Sequence, residues 1–146
     1  KGNEGVTAQV QQTEGAIGYV EYGYATNNGL AVAALENSSG NFVTPTGESA
    51  SATLDAVELP ENLRAFITDP EGENSYPIVT YTWMLVYETY EDPMQAKAVE
   101  VMVEYGLNEG QDISPDLGYV ALPPSVREKV AAAADGISPD YEITVE

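Results

Sequence analysis

The run Ile78 to Tyr87 (IVTYTWMLVY) is nearly continuous in apolar and aromatic residues. A strand with one wet face alternates apolar and polar positions, so a run without alternation predicts a central strand covered on both faces. Pro77 in front of it suits the first position of a strand, where no ladder donor is needed. Ala16 to Val20 and Leu30 to Leu35 are shorter runs of the same kind. Between these runs the apolar spacing turns helical. Val6, Val10 and Thr13 follow Asn3, a candidate N-cap, and Gly15 ends that helix. Ala50, Leu54 and Val57 share one face of a second helix. Asp92-Pro93 pairs a capping residue with proline at the first helical position. Met94, Ala98, Val101, Met102 and Tyr105 form the stripe behind it, with Gly106 or Gly110 to close it. Val126, Val130, Ala133 and Ile137 mark a last helix with Gly136 as its cap. Helices alternating with doubly covered strands predict an α/β fold in which helices cover mostly buried sheets.

Turn chemistry separates these pieces. Asn27-Asn28-Gly29 is one turn, and Ser38-Ser39-Gly40-Asn41 is another, after which Phe42-Val43 pairs back as a hairpin. Asp69 to Ser75 (DPEGENS) is the best boundary in the chain.

Composition narrows the function. The 146 residues suffice for a packed core, and at 43% hydrophobic the chain lies outside the disordered class. Five basic against 24 acidic residues give a net charge of −19. Such a surface repels nucleic acid, whose binding rests on phosphate neutralisation, and no basic run interrupts it. The absence of cysteine excludes disulfides and thiolate metal sites, and the absence of histidine removes the commonest general base. No Ser-His-Asp or Cys-His arrangement can be assembled, so an enzyme is disfavoured. No apolar run reaches the roughly 18 residues of a membrane span. Lys1-Gly2-Asn3-Glu4 lacks the apolar stretch of a signal peptide, so either a signal was removed or the chain begins in mid-protein.

A set of strings then carries a resemblance. They are Lys1-Gly2-Asn3-Glu4-Gly5-Val6, Gly15 to Glu21 (GAIGYVE) followed by Tyr24-Ala25, and Gly40-Asn41-Phe42-Val43 with Pro45. Tyr76-Pro77-Ile78, Thr80 to Trp83 and Leu122-Pro123 complete the set. In order and spacing the chain resembles, over its full length, the periplasmic phosphate-binding proteins (PstS family) of bacterial phosphate ABC importers. The resemblance implies a two-lobe periplasmic-binding-protein fold in a polypeptide roughly twice as long, with this chain as its C-terminal half. Residues 1–75 are then expected to complete the second lobe and residues 76–146 to return and complete the first. Neither part is expected to be a self-sufficient domain.

The implied partners are inorganic phosphate, the missing N-terminal half and a membrane ABC permease, with no nucleic acid and no cofactor. The implied location is the periplasm or the bacterial cell surface. The resemblance implies that dehydrated phosphate is held in the cleft by helix N-termini, hydroxyls, an arginine and an acidic acceptor, which takes the proton of monohydrogen phosphate and so excludes sulfate. The family's Ser-Gly-Thr phosphate loop does not occur here: Ser39-Gly40 leads to Asn41, and Thr46-Gly47 to Glu48. Arg64 and Arg127 match no ligand motif, so no phosphate ligand is expected in this chain. Tyr76, Pro77 and Thr80 are the cleft or hinge candidates. The alternative reading is a structural or interaction fragment, one chain of a nicked or assembled protein without ligand binding of its own.

Other constellations have plainer readings. Tyr19, Tyr22 and Tyr24 could build an aromatic platform, but packing between a strand end and a helix accounts for them. Asp69, Glu71, Glu73 and Asn74 miss the calcium-loop spacing and read as a solvated turn. Asp92 beside Glu91 is explained as a cap, Glu21 as a surface group, and Trp83 as core.

Overall fold

The computed structural model describes residues 1–146. Six α-helices carry the architecture: α1 (Gly2–Gln12), α2 (Tyr22–Asn27), α3 (Gly47–Asp55), α4 (Pro93–Leu107), α5 (Glu109–Ile113) and α6 (Pro124–Ala134). A 3-10 turn spans Pro115–Leu117. The only ladder is a hairpin of β1 (Leu35–Glu36) and β2 (Phe42–Val43), antiparallel, with Leu35 opposite Val43 and Glu36 opposite Phe42. Gly40 turns it at φ 80°, the left-handed region that glycine enters without a Cβ clash.

Local chemistry sets the helix starts. Asp92 accepts from the Met94 N–H at 2.9 Å, and Pro93 follows it as the first helical residue. Thr46 caps α3: its hydroxyl accepts from Ser49 N, while Ser49 Oγ accepts from Thr46 N. Two corrections apply at other ends. The first helix begins at Gly2, so Asn3 lies within it and is not its cap. The last helix stops at Ala134 with Asp135 as its C-cap, and Gly136 has no left-handed φ.

Two small apolar clusters form the core. Leu54, Leu59, Tyr81 and Val126 make the first, joining α3 to α6 and to the extended segment around Tyr81. Leu63, Ala65 and Ile67 line it while Arg64 and Phe66 face solvent, the period-2 pattern of extended chain. The second cluster is Val103, Leu107, Ala131 and Ile143, where α4 meets α6 and the C-terminal segment. That segment is strapped down by polar contacts. Asn108 Nδ2 donates to Thr144 O at 2.8 Å, Glu146 N donates to Asn108 Oδ1 at 3.0 Å, and Glu104 accepts from Tyr141 and Thr144.

The strand candidates behave differently from their sequence. Ala16 to Val20, Leu30 to Ala34 and Ile78 to Tyr87 lie outside any ladder and form no regular element. Ile17 is 98% exposed and Leu85 94% exposed, and Trp83, Met84, Val86 and Tyr87 are exposed as well. The expectation that sheets would be mostly buried is therefore corrected for this chain taken alone. The physical reason is that no segment within it pairs with these edges. Trp83 is likewise not a core residue: one side packs edge-on to Tyr81 and its indole N–H donates to Leu63 O at 2.9 Å, while the rest faces solvent. The stripe assigned to α4 is corrected too. Ala96, Glu100, Val103 and Leu107 are its buried face, whereas Met94, Val101, Met102 and Tyr105 are exposed.

Candidate functional site

The DPEGENS loop leads into the segment Tyr76 to Thr80, and its conformation is decided by side chains from elsewhere in the fold. Asn37, next to β1, is buried. Its amide Nδ2 lies 3.0, 3.1 and 3.1 Å from the carbonyls of Gly72, Glu73 and Ser75. Its Oδ1 accepts from Ser39 N and Asn41 N, both at 3.1 Å. One amide therefore satisfies the hairpin turn and the loop together, using both its donor and its acceptor capacity. On the outer side of the loop, Asp69 Oδ1 accepts from Ser38 N at 3.0 Å. The turn reading of Asp69 and Glu73 accounts for these contacts: the Asp69 side chain and the Glu73 carbonyl are spent on the hairpin.

Tyr76 is gripped by α3. Its N–H donates to Ser49 O at 3.3 Å, and its carbonyl accepts from Thr53 Oγ1 at 2.8 Å. Its half-buried phenol titrates above the usual tyrosine value because burial disfavours the phenolate. Pro77 is half-buried, and Thr80 is exposed, with Oγ1 donating to the neighbouring Tyr81 carbonyl at 3.2 Å. The three candidates thus lie on one continuous segment, bent at Pro77 and Ile78, that leads to Tyr81 of the first core.

Other singled-out residues scatter. Tyr19 is exposed, while Tyr22 and Tyr24 lie half-buried on α2, so no shared platform forms. Tyr24 donates to Glu4 Oε1 at 2.8 Å, and that bond raises its phenol above the usual value. Glu21 precedes α2 and edges an open cleft of about 300 Å3 with Tyr24 and Tyr119. Arg64 stacks over Phe66 at 5.4 Å. Arg127 donates to Leu107 O at 3.0 Å beside a second open cleft of about 610 Å3 rimmed by Glu104, Glu109 and Asp112. Sequence reasoning missed Asn37 and Thr53 at the site. Their partners are mostly backbone groups, some of them more than 20 residues away, and nothing in the sequence marks those.

The family profile described as "PBP superfamily domain" matches residues 1–105. The chain belongs to the PBP superfamily. It is 38% identical over 134 residues to "Phosphate-binding protein PstS" of Pasteurella multocida, covering 90% of this chain and 39% of that protein. The protein of the same name from Haemophilus influenzae is 37% identical over 128 residues, covering 86% of this chain and 38% of its own length. That of the archaeon Methanocaldococcus jannaschii is 40% identical over 142 residues, covering 86% of this chain and 36% of its own length. The resemblance read from GAIGYVE and its companion strings is borne out by these alignments. The chain spans under two-fifths of the length of the curated relatives it matches. No helix is long and apolar enough to cross a membrane.

Proposed function

We propose that this chain is the C-terminal part of a phosphate-binding receptor of an ABC importer. The receptor captures inorganic phosphate between two lobes and delivers it to a membrane permease, from the periplasm or the cell surface, without catalysis. Residues 1–75 belong to the second lobe and residues 76–146 to the first, with Tyr76, Pro77 and Thr80 at the hinge. The phosphate ligands lie on the part of the polypeptide upstream of Lys1. The first core cluster, which sets Leu54 and Leu59 against Tyr81 and Val126, then sits at the junction of the lobes.

The observation that carries the reading is the likeness to phosphate-binding proteins across about nine-tenths of the chain. The uncovered strand candidates support it from the physical side. Open edges and apolar faces such as Ile78 to Tyr87 invite pairing, and soluble proteins do not leave them unmanaged. The test is titration of the complete polypeptide carrying this chain with phosphate and with sulfate by calorimetry. Saturable phosphate binding with sulfate excluded is expected, because a cleft acceptor takes the proton that monohydrogen phosphate carries. No heat with phosphate, at protein concentrations that resolve micromolar binding, rejects the receptor reading.

A further inference from the structure

The chain carries 24 carboxylate side chains and five basic ones, and the basic ones are spent on rings and carbonyls. Arg64 stacks on the Phe66 ring at 5.4 Å and Lys97 on the Tyr141 ring at 5.5 Å. Arg127 donates to Leu107 O at 3.0 Å and Lys129 to Leu59 O at 3.3 Å. Lys1 lies exposed at the start of the chain. The carboxylates, for their part, are bonded by neutral groups. Glu4, Asp69, Asp92, Glu100, Glu104 and Asp135 accept from tyrosine and threonine hydroxyls or from backbone N–H groups. A neutral donor stabilises a carboxylate and leaves its charge uncancelled. The rim of the larger cleft concentrates the imbalance: Glu104, Glu109, Asp112 and Glu146 surround it, and Arg127 is its one basic residue. Even so, no group of three or more carboxylates is gathered closely enough to hold a metal ion.

We propose that the mobile cations of a salty medium are the counterions this fold relies on: its stability rises with ionic strength through screening and needs no bound ion. Folding draws the carboxylates together, so like-charge repulsion weighs on the compact state more than on the unfolded chain. Salt relieves that repulsion by shortening the screening length from about 10 Å at 0.1 M to about 3 Å at 1 M. Because the acids are dispersed rather than gathered into a chelating group, one monovalent cation serves as well as another. This inference is independent of the receptor reading.

The experiment follows thermal melts of the complete polypeptide carrying this chain at neutral pH, in KCl and in choline chloride from about 0.01 M to about 1 M. The melting temperature is expected to rise by about 10 °C over that range, equally in both salts. A second arm uses E71K/E88K/E142K, in which three exposed carboxylates are reversed in sign. The variant is expected to melt several degrees above the parent at low salt and level with it at about 1 M. E88K alone carries this arm, with a smaller difference of the same sign, if the triple variant does not fold. A melting temperature that stays flat with salt overturns the proposal. A rise in KCl without one in choline chloride overturns it in favour of a bound cation. Parallel salt curves for parent and variant overturn it as well, since salt then acts on apolar burial and not on charge.

Discussion

Supplying a covering half in trans is the perturbation to which this chain should respond most. Its accessible surface is 10012 Å2. A folded monomer of 15.6 kDa exposes about 7,200 Å2, so the surplus is about 2,800 Å2. If a little over half of that is apolar, as on protein surfaces generally, about 1,600 Å2 of apolar surface awaits burial. At about 25 cal/mol per Å2 the gross gain on covering it is on the order of 40 kcal/mol, an upper bound because the unfolded chain is itself partly compact. Association and side-chain ordering take back most of this. A quarter of it, about 10 kcal/mol, already corresponds to a dissociation constant below 1 μM. Large apolar side chains that contribute to it include Ile17, Tyr19, Phe66, Ile78, Leu85 and Tyr87, and the Met94–Met102–Tyr105 side of α4.

The assay compares residues 1–146 alone with a mixture containing the separately produced upstream half. Dye binding, sedimentation, a thermal melt and calorimetry are the readouts. Alone, the chain is expected to bind a hydrophobic dye, self-associate and melt over a broad range. The mixture is expected to form a complex of sub-micromolar affinity, lose dye binding, melt cooperatively and bind phosphate. A sharp melt, monomeric sedimentation and no dye binding by the chain alone would refute the surface argument. Failure of the halves to associate would do the same.

Further outcomes follow from buried and strapped groups in the reconstituted protein. Glu100 is fully buried, and its Oε1 accepts from Ile137 N at 3.0 Å and Ser138 N at 2.9 Å. E100A leaves both donors unpaired and should cost about 3–5 kcal/mol in urea unfolding; E100Q keeps an acceptor and should cost about 1–2 kcal/mol. The C-terminal strap should show a pH window. Hydrogen bonds from Thr144 and Tyr141 hold the Glu104 carboxyl below its ordinary 4.5, so that stabilisation is present above about 4.5 and fades as pH falls through the lower folded value. The Glu104 bond raises the Tyr141 phenol above its ordinary 10.0, so its contribution is present below about 10 and fades as pH rises through the higher folded value. Amide signals of residues 143–146 should report both limbs, and E104Q should abolish the acid one.

The features legible in the sequence are those decided within one turn of chain. The Asp92-Pro93 start, the Gly40 hairpin and the Ala50–Leu54 face of α3 each depend on neighbours a few residues away and are found where their residues place them, though Val57, read onto the same face, lies past the helix end at Asp55. The face of α4 was not legible. Its apolar residues run nearly all the way round, so periodicity does not choose between Val101–Met102–Tyr105 and Ala96–Val103–Leu107; packing against α6 chooses. The buried side of α4 also carries Glu100, a residue that patterning assigns to solvent. It is buried because Ile137 N and Ser138 N, 37 and 38 residues further on, need an acceptor there. Asn37 and Thr53 escaped notice for the same reason. The strand runs present the opposite case. Continuity of apolar residues in Ile78 to Tyr87 states that both faces require cover, and it carries no information on which polypeptide supplies it. Local signals agree with the structure, whereas the strand expected at Ile78 to Tyr87 is not formed and its apolar residues stay exposed. The C-terminal residue Ile143, by contrast, finds burial against Val103 and Leu107 without a ladder of its own.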